Sequence, residues 1–163
     1  MKKIIYSKAD GSLAVVHPVD KHSIEKVLGP LSQIEYEQFI WQQTVPEYAI
    51  NPRYVDESDI PVDRDHRAAW VDITSESRVD IDCSKAKEIS LERLRAKRNL
   101  ALNSTDVDMT RALESGDVVK QGELKLVREG LRSATDELKA LDTSGKINDE
   151  AVLLEIKRLE ELK

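Results

Sequence analysis

One cysteine, one phenylalanine, two tryptophans, three histidines and six glycines are all that this chain of 163 residues holds of those types. Each shortage excludes something. A lone thiol, Cys83, cannot form an internal disulfide, so the chain suits a reducing compartment and must be held by packing. With so few rings the core must be mainly aliphatic. The imidazoles His17, His22 and His66 are scattered, and Pro18 separates the first two. A zinc centre needs three or four converging ligands, so no metal and no cofactor are expected. Neither Gly-x-Gly-x-x-Gly nor a Walker-type Gly-x-x-x-x-Gly-Lys occurs, which argues against phosphate cradling by a glycine-rich loop. No Gly-x-Ser-x-Gly occurs either, and nucleophilic catalysis needs a base and an orienting group beside the nucleophile. Positive charge is also short. Lys and Arg number 25 against 31 Asp and Glu, a net charge of -6. That disfavours a general nucleic-acid or anionic-membrane binder. Long apolar runs are missing, so no membrane span is expected. Two lysines ahead of Ile4-Ile5-Tyr6 are too little for a signal peptide. The reading is a cytoplasmic, non-enzymatic protein.

What is present is 40% hydrophobic and 34% charged residues, enough for a solvated globular chain with a real core. All five prolines and both tryptophans fall before residue 83, and the rest has long helical periodicity without proline. The fold class expected is α+β. A small N-terminal mixed β-hairpin and helix domain, residues 1–82, precedes an all-α helical hairpin or bundle, residues 83–163.

In the first part, Ile4-Ile5-Tyr6 and Leu13–Val16 flank Asp10-Gly11 and read as a tight hairpin with positive φ angles at the turn. Ser23 is expected to cap a short helix to Leu28, closed by Gly29-Pro30. Ser32 and Glu35 form a capping box for a second helix to about Thr44, with Ile34, Phe39, Ile40 and Trp41 on its apolar face. Tyr48–Ile50 and Arg53–Val55 look extended, interrupted by Asn51-Pro52. Val71–Ile73 and Val79–Ile81 alternate apolar and polar and pair as a second hairpin. Arg67–Trp70 is either one helical turn or the lead into that strand.

In the second part, Ser84 is expected to cap a helix to about Asn103. A short one follows from Thr105 or Asp106 to Gly116, with Met109, Ala112 and Leu113 inward. Asp117 caps a long helix to about Leu141. There Leu124, Val127, Leu131, Ala134, Leu138 and Leu141 alternate by three and four and form one stripe. The stripe packs in an antiparallel hairpin against a last helix bearing Val152, Ile156, Leu159 and Leu162, or serves as a coiled-coil seam between chains. Asp142–Glu150 has the look of a calcium loop. With Gly145 as its glycine, however, the first and last ligand positions fall on Ala140 and Ala151, so cap chemistry is the better account.

Three clusters invite a functional reading. Cys83 sits at a helix start but beside Asp80 and Asp82, which oppose a thiolate, so it reads as a small buried residue. Lys85, Lys87, Arg93, Arg95, Lys97 and Arg98 make one helix locally basic, best read as a solvated face with internal ion pairs. Asp63-Arg64-Asp65-His66-Arg67, bracketed by Pro61 and Trp70, is the densest. There Arg64 and Arg67 read as clamps that bond loop carbonyls and stack on Trp70. His66 is expected at the surface or half-buried.

The order Ser58-Asp-Ile-Pro-Val-Asp-Arg64, Arg67-Ala-Ala-Trp70, Val79–Asp82, Lys85–Ile89, Leu94–Arg98, Met109–Asp117 and Leu131–Thr135 resembles a family of small tailed-bacteriophage and prophage proteins encoded near tail genes. The helical part is similar to phage tail-fibre assembly proteins. His66 stands where such sequences often have an aromatic residue, and a helix follows Thr135 where they have a short tryptophan-containing tail. The resemblance implies a tail accessory protein that binds a tail-fibre or receptor-binding subunit. It would be an assembly chaperone in the host cytoplasm or a minor component of the virion tail. The residues expected to bind the partner or clamp the structure are Arg64, Arg67, Trp70, Leu124, Val127, Leu131 and Leu138. The alternatives are a homo-oligomeric tail or fibre adaptor held by the C-terminal helices, and a phage regulator binding a host protein or nucleic acid.

Overall fold

The computed structural model describes residues 2–161, so Leu162 of the expected last-helix face lies outside the described residues. The fold is α+β. The chain divides into two compact units, Met1–Ile81 and Asp82–Lys163.

The first unit is built on strand β1 (Lys3–Ser7), flanked antiparallel by β2 (Leu13–Val16) and β3 (Ile50–Val55) in the order β2-β1-β3. The β1–β2 turn differs from a two-residue hairpin loop. Only Gly11 takes positive φ (77°), the Gly11 amide donates to Lys8 O, and the Asp10 carboxylate accepts from the Ser12 amide and hydroxyl. A glycine after a turn of this kind absorbs the left-handed residue that lets the strands keep their twist. β3 runs through Asn51-Pro52 without ending. Asn51 takes φ 52°, and the β1–β3 register slips there as a bulge. Asparagine tolerates that conformation, and proline is tolerated because β3 is an edge strand.

Two helices lie between β2 and β3. Helix α1 (Lys21–Leu28) begins one turn earlier than its sequence suggests. Asp20 is the cap and accepts from the Ser23 amide, while Ser23 lies inside. Helix α2 (Gln33–Thr44) has the expected capping box of Ser32 and Glu35. Of its expected apolar face Ile40 is buried and Phe39 and Trp41 are half-buried, while Ile34 is 69% exposed; α2 docks through Trp41 against Tyr54, whose rings lie 5.6 Å apart. The Tyr54 hydroxyl donates to Glu37 O.

Cross-strand partners share a face. Ile4 pairs Tyr54, so that face meets α2; Ile5 pairs Val15 and Arg53, so these occupy the other face. There the Arg53 guanidinium forms a bidentate pair with Asp72 of β4 (Trp70–Ile73), which with β5 (Arg78–Ile81) makes the second hairpin, Trp70 opposite Ile81. Both expectations for Arg67–Trp70 hold in part. Arg67–Ala69 is a 3-10 turn and Trp70 begins the strand.

In the second unit one helix, α3 (Cys83–Glu114), is the spine. The expected break near Asn103 is absent. Ser104 and Thr105 donate their hydroxyls to Ala101 O and Leu102 O and stay helical, and without glycine or proline the local cost is a few tenths of a kcal/mol per residue. The N-cap is Asp82, whose carboxylate accepts from the Ser84 and Lys85 amides, so Ser84 lies inside the helix. Ser84 donates instead to Thr143 O. Gly116 at φ 68° ends α3, with the Asp117 amide donating to Ala112 O in a Schellman-type closure. Leu113, expected inward, is 59% exposed; Ala112 is buried.

Asp117 caps α4 (Val118–Ser133), as expected, but the helix does not reach Leu141. It breaks at Ala134-Thr135, and a short α5 (Asp136–Ala140) follows with Asp136 and Glu137 in its first turn. The Ser133 hydroxyl turns back to Glu129 O and Gly130 O, and two acidic residues favour a new helix start there. The stripe is therefore not continuous. Leu124, Ala134 and Leu138 are buried, Leu131 is half-buried and Val127 is 51% exposed. The buried side of α4 runs through Gln121 and Arg128, which bond Ala112 O and the Asp106 carboxylate of α3, and Val127 falls off that line.

Helix α6 (Glu150–Glu161), capped by Asp149, buries Val152, Leu153, Ile156 and Leu159. Both α4 and α6 pack on α3, so the expected α4–α6 hairpin is replaced by two arms on one spine. Gly145 lies in the α5–α6 loop at φ 65° and does not close a helix directly. The loop is pinned to the start of α3 by Cys83 N to Lys146 O, 3.1 Å, and by a bridge between Asp82 and Ile147. Among the described residues no helix is long and apolar enough to cross a membrane.

Cys83 is wholly buried beneath this loop. Burial pushes its thiol above the ordinary value, against a hydrogen bond from the Asp149 backbone and with the charges of Asp149 and Asp82. In the folded protein Cys83 is therefore expected to react with a disulfide reagent at least about a hundredfold more slowly than after unfolding. Absorbance of the released thiolate with and without denaturant measures the ratio; equal rates would mean that the start of α3 is open.

Candidate functional site

The strand register builds one half of a cleft in the first unit. Lys3 and Ile5 share a face of β1, and the pairing of Ile4 with Val16 continues to set Lys3 beside His17, two residues beyond Val15 on the same side. The chain from Glu57 to Trp70 supplies the other half. The resulting cavity, about 160 Å³, is lined by Lys3, Val15, His17, Glu57, Arg64, Arg67 and Trp70 together with Ile60-Pro61-Val62.

Asp63 organises this loop. One carboxylate oxygen accepts from the Asp65 amide at 3.0 Å, the other lies 3.2 Å from His66 Nδ1, and the Asp63 carbonyl accepts from Trp70 Nε1 at 3.2 Å. His66, expected at or near the surface, is wholly buried. Its bond to Asp63 gives Nδ1 a partner, and a polar side chain leaves water only when it is so bonded. The Ala69 amide donates to His66 O at 2.8 Å and fixes the 3-10 turn.

With the loop held by Asp63 and His66, both arginines are turned to solvent. The Arg67 guanidinium lies over the Trp70 ring at 5.7 Å, as expected. Arg64 does not clamp the loop. Among the described residues its guanidinium has no hydrogen-bond or ion-pair partner, and only its backbone carbonyl is used, by the Arg67 amide. Lys3 is 6% exposed and its ammonium lies 3.4 Å from Glu57. At His17, desolvation first and then the positive charges of Lys3, Arg64 and Arg67 push the imidazole below its ordinary value, against a smaller opposing pull from Glu57. The cleft is thus a cationic pocket with an apolar floor in a chain of net charge -6.

Arg64, Arg67 and Trp70 therefore converge on one cavity. Leu124 and Leu138 are core residues of the second unit, Leu131 lines a crevice there with Leu94 and Ala134, and Val127 is exposed. Lys3 and His17 were not legible as site residues, because only the strand register brings them to the loop, and Glu57 was not, because its partner Lys3 lies across that register. The basic stretch of α3 is largely engaged within its own unit. Lys87 donates to Lys139 O and Leu141 O at the end of α5, and Arg93 pairs with Glu160 of α6. The first ties Lys87 to the protein and the second compensates the charge of Arg93.

No family model, no curated protein and no solved structure matches this chain.

Proposed function

We propose that the protein is a phage tail accessory protein that acts by binding, with a tail-fibre or receptor-binding subunit docking on the Trp70 cleft. The resemblance of the Ser58–Trp70 and α3–α4 motifs to tail-region proteins supplies the class. The observation that supports the cleft as the docking surface is the exposed Arg64 and Arg67 pair set around a buried tryptophan. Arginine beside an aromatic ring is the composition that dominates binding hot spots. On this reading the protein works in the host cytoplasm during assembly, and mass spectrometry of purified virions tells whether it stays in the tail.

The test is co-expression with the neighbouring tail-fibre subunit, followed by affinity capture. The double variant Arg64→Glu, Arg67→Glu is expected to lose at least about tenfold in captured partner, since like charge opposite the partner's acids costs more than about 1.4 kcal/mol. Its melting should change little, because the variant removes chiefly the stacking of Arg67 on Trp70, which contributes about 0.5–1 kcal/mol at an exposed site. Undiminished capture would remove the cleft as the surface; no capture of any tail protein would remove the tail reading.

One observation favours a second reading, a homo-oligomeric adaptor. Val118 and Val119 at the start of α4 are each 75% exposed, and Leu126 and Val127 are 71% and 51% exposed. Light scattering on the purified chain separates the two, a monomer favouring the accessory reading and a dimer or trimer the adaptor.

A further inference from the structure

We infer that the Trp70 cleft recognises a side-chain carboxylate flanked by apolar residues on the partner protein: an acidic side chain that enters between Arg64, Arg67 and Lys3. This deepens the proposed function and rests on reading the cleft as the partner surface.

Three features define the ligand chemistry. The lining holds three cationic side chains, Lys3, Arg64 and Arg67, against one carboxylate, Glu57, which pairs with Lys3. Of the loop's other acids, Asp59, Asp63 and Asp65, none lines the cavity, and Asp63 is turned to His66 and the Asp65 amide. The site therefore attracts an anion, and guanidinium groups match a planar carboxylate with paired donors. The remaining walls are Val15, Ile60, Pro61, Val62 and the Trp70 ring. A free inorganic anion gains nothing from such walls, whereas an acidic residue between aliphatic neighbours covers them and gains from their burial. A cavity of about 160 Å³ is a size for one side chain and not for a nucleotide. Lys3 is almost fully buried and held against Glu57, so it cannot swing away, while the uncompensated charge comes from Arg67 and from Arg64, whose guanidinium has no bond within the described residues to give up on binding. That lowers the ordering cost that association must meet.

Trp70 is the reporter. In a Trp41→Phe background it is the only tryptophan, and the protein is titrated with two blocked peptides, acetyl-Leu-Glu-Leu-amide and acetyl-Leu-Gln-Leu-amide, and separately with sodium phosphate. The glutamate peptide is expected to shift Trp70 emission saturably below about 10 mM, and the glutamine peptide to bind about tenfold more weakly. Arg64→Gln should weaken the glutamate peptide several-fold, and phosphate at the same concentration should not displace it. Equal binding of the two peptides, saturation by neither, or displacement by phosphate each overturns the inference. Failure of the two readings is distinguishable. Peptide discrimination without capture of a tail subunit keeps the site and removes the tail role; capture without discrimination does the reverse.

Discussion

Replacement of Trp70 by alanine is expected to destabilise the first unit by about 3–5 kcal/mol, a large share of what a small domain has. The side chain is 4% exposed and opens β4 opposite Ile81. Its loss leaves a cavity beside Val15, which lines the cleft with it. It also removes the indole donor to Asp63 O, the tie between the loop and the strand that follows it. Arg67 loses the ring it lies over. The Trp70→Phe variant separates these contributions. It keeps most of the apolar volume and loses chiefly the hydrogen bond, so its cost should be about 1–2 kcal/mol. Urea unfolding followed by far-ultraviolet circular dichroism and by Trp41 emission reads both variants. A cost below about 1 kcal/mol for Trp70→Ala would mean that the ring is a lid on the cleft and not part of the framework.

The same residue shows what can be read from a sequence and what cannot. Trp70, Arg67 and Arg64 stand out by composition, five ionisable residues in a row before a tryptophan. Their convergence on Lys3 and His17 depends on which residue of β1 faces which of β2, a fact carried by the hairpin turn. That turn was legible as a turn from Asp10-Gly11, but its type was not, and a one-residue change in register moves Lys3 to the other face. His66 misleads for a related reason. A histidine in a charged run reads as solvated, and only the fold supplies the carboxylate of Asp63 that allows its burial. The Arg53–Asp72 pair was invisible too. Each residue alone looks like ordinary surface charge, and the pairing needs two sheets to meet.

In the helical unit, local signals compete and the tertiary contacts choose. Ser84 is a good cap by composition, yet Asp82 takes the role because its carboxylate reaches two amides, and Ser84 is then free to hold the α5–α6 loop. Asn103 to Asp106 reads as a stop and a new start, but capping residues inside a helix cost little when hydroxyls bond back to the preceding turn. The alternating stripe from Leu124 to Leu141 is split between α4 and α5 at Ala134-Thr135; Leu124, Ala134 and Leu138 are buried, Leu131 and Leu141 half-buried, and Val127 alone is exposed. What the pattern does not tell is its partner, since α3, not α6, lies against α4.

Ile156→Ala should be the most damaging aliphatic truncation in that unit, costing about 2–5 kcal/mol. Helix α6 is only 12 residues long and would not persist alone in water. It is held by the burial of Val152, Leu153, Ile156 and Leu159 on one side, and by Glu160, which accepts from Ser90 Oγ at 2.7 Å and pairs with Arg93. Ile156 lies at the centre of that set and is fully excluded from solvent. Its truncation therefore loosens the whole arm, and Glu160 should release Ser90 before the rest of the unit melts. Leu131→Ala, at a half-buried position on α4, should cost less, and Val127→Asp, on the exposed flank, should stay within about 0.5 kcal/mol. Thermal melts of the three variants, paired with light scattering, give an ordered outcome. If Val127→Asp leaves the melt unchanged but lowers the mass, the exposed flank of α4 joins copies of the chain. If Ile156→Ala costs no more than Leu131→Ala, α6 is not a structural arm of the spine, and Glu160 should be as easily removed as any surface acid.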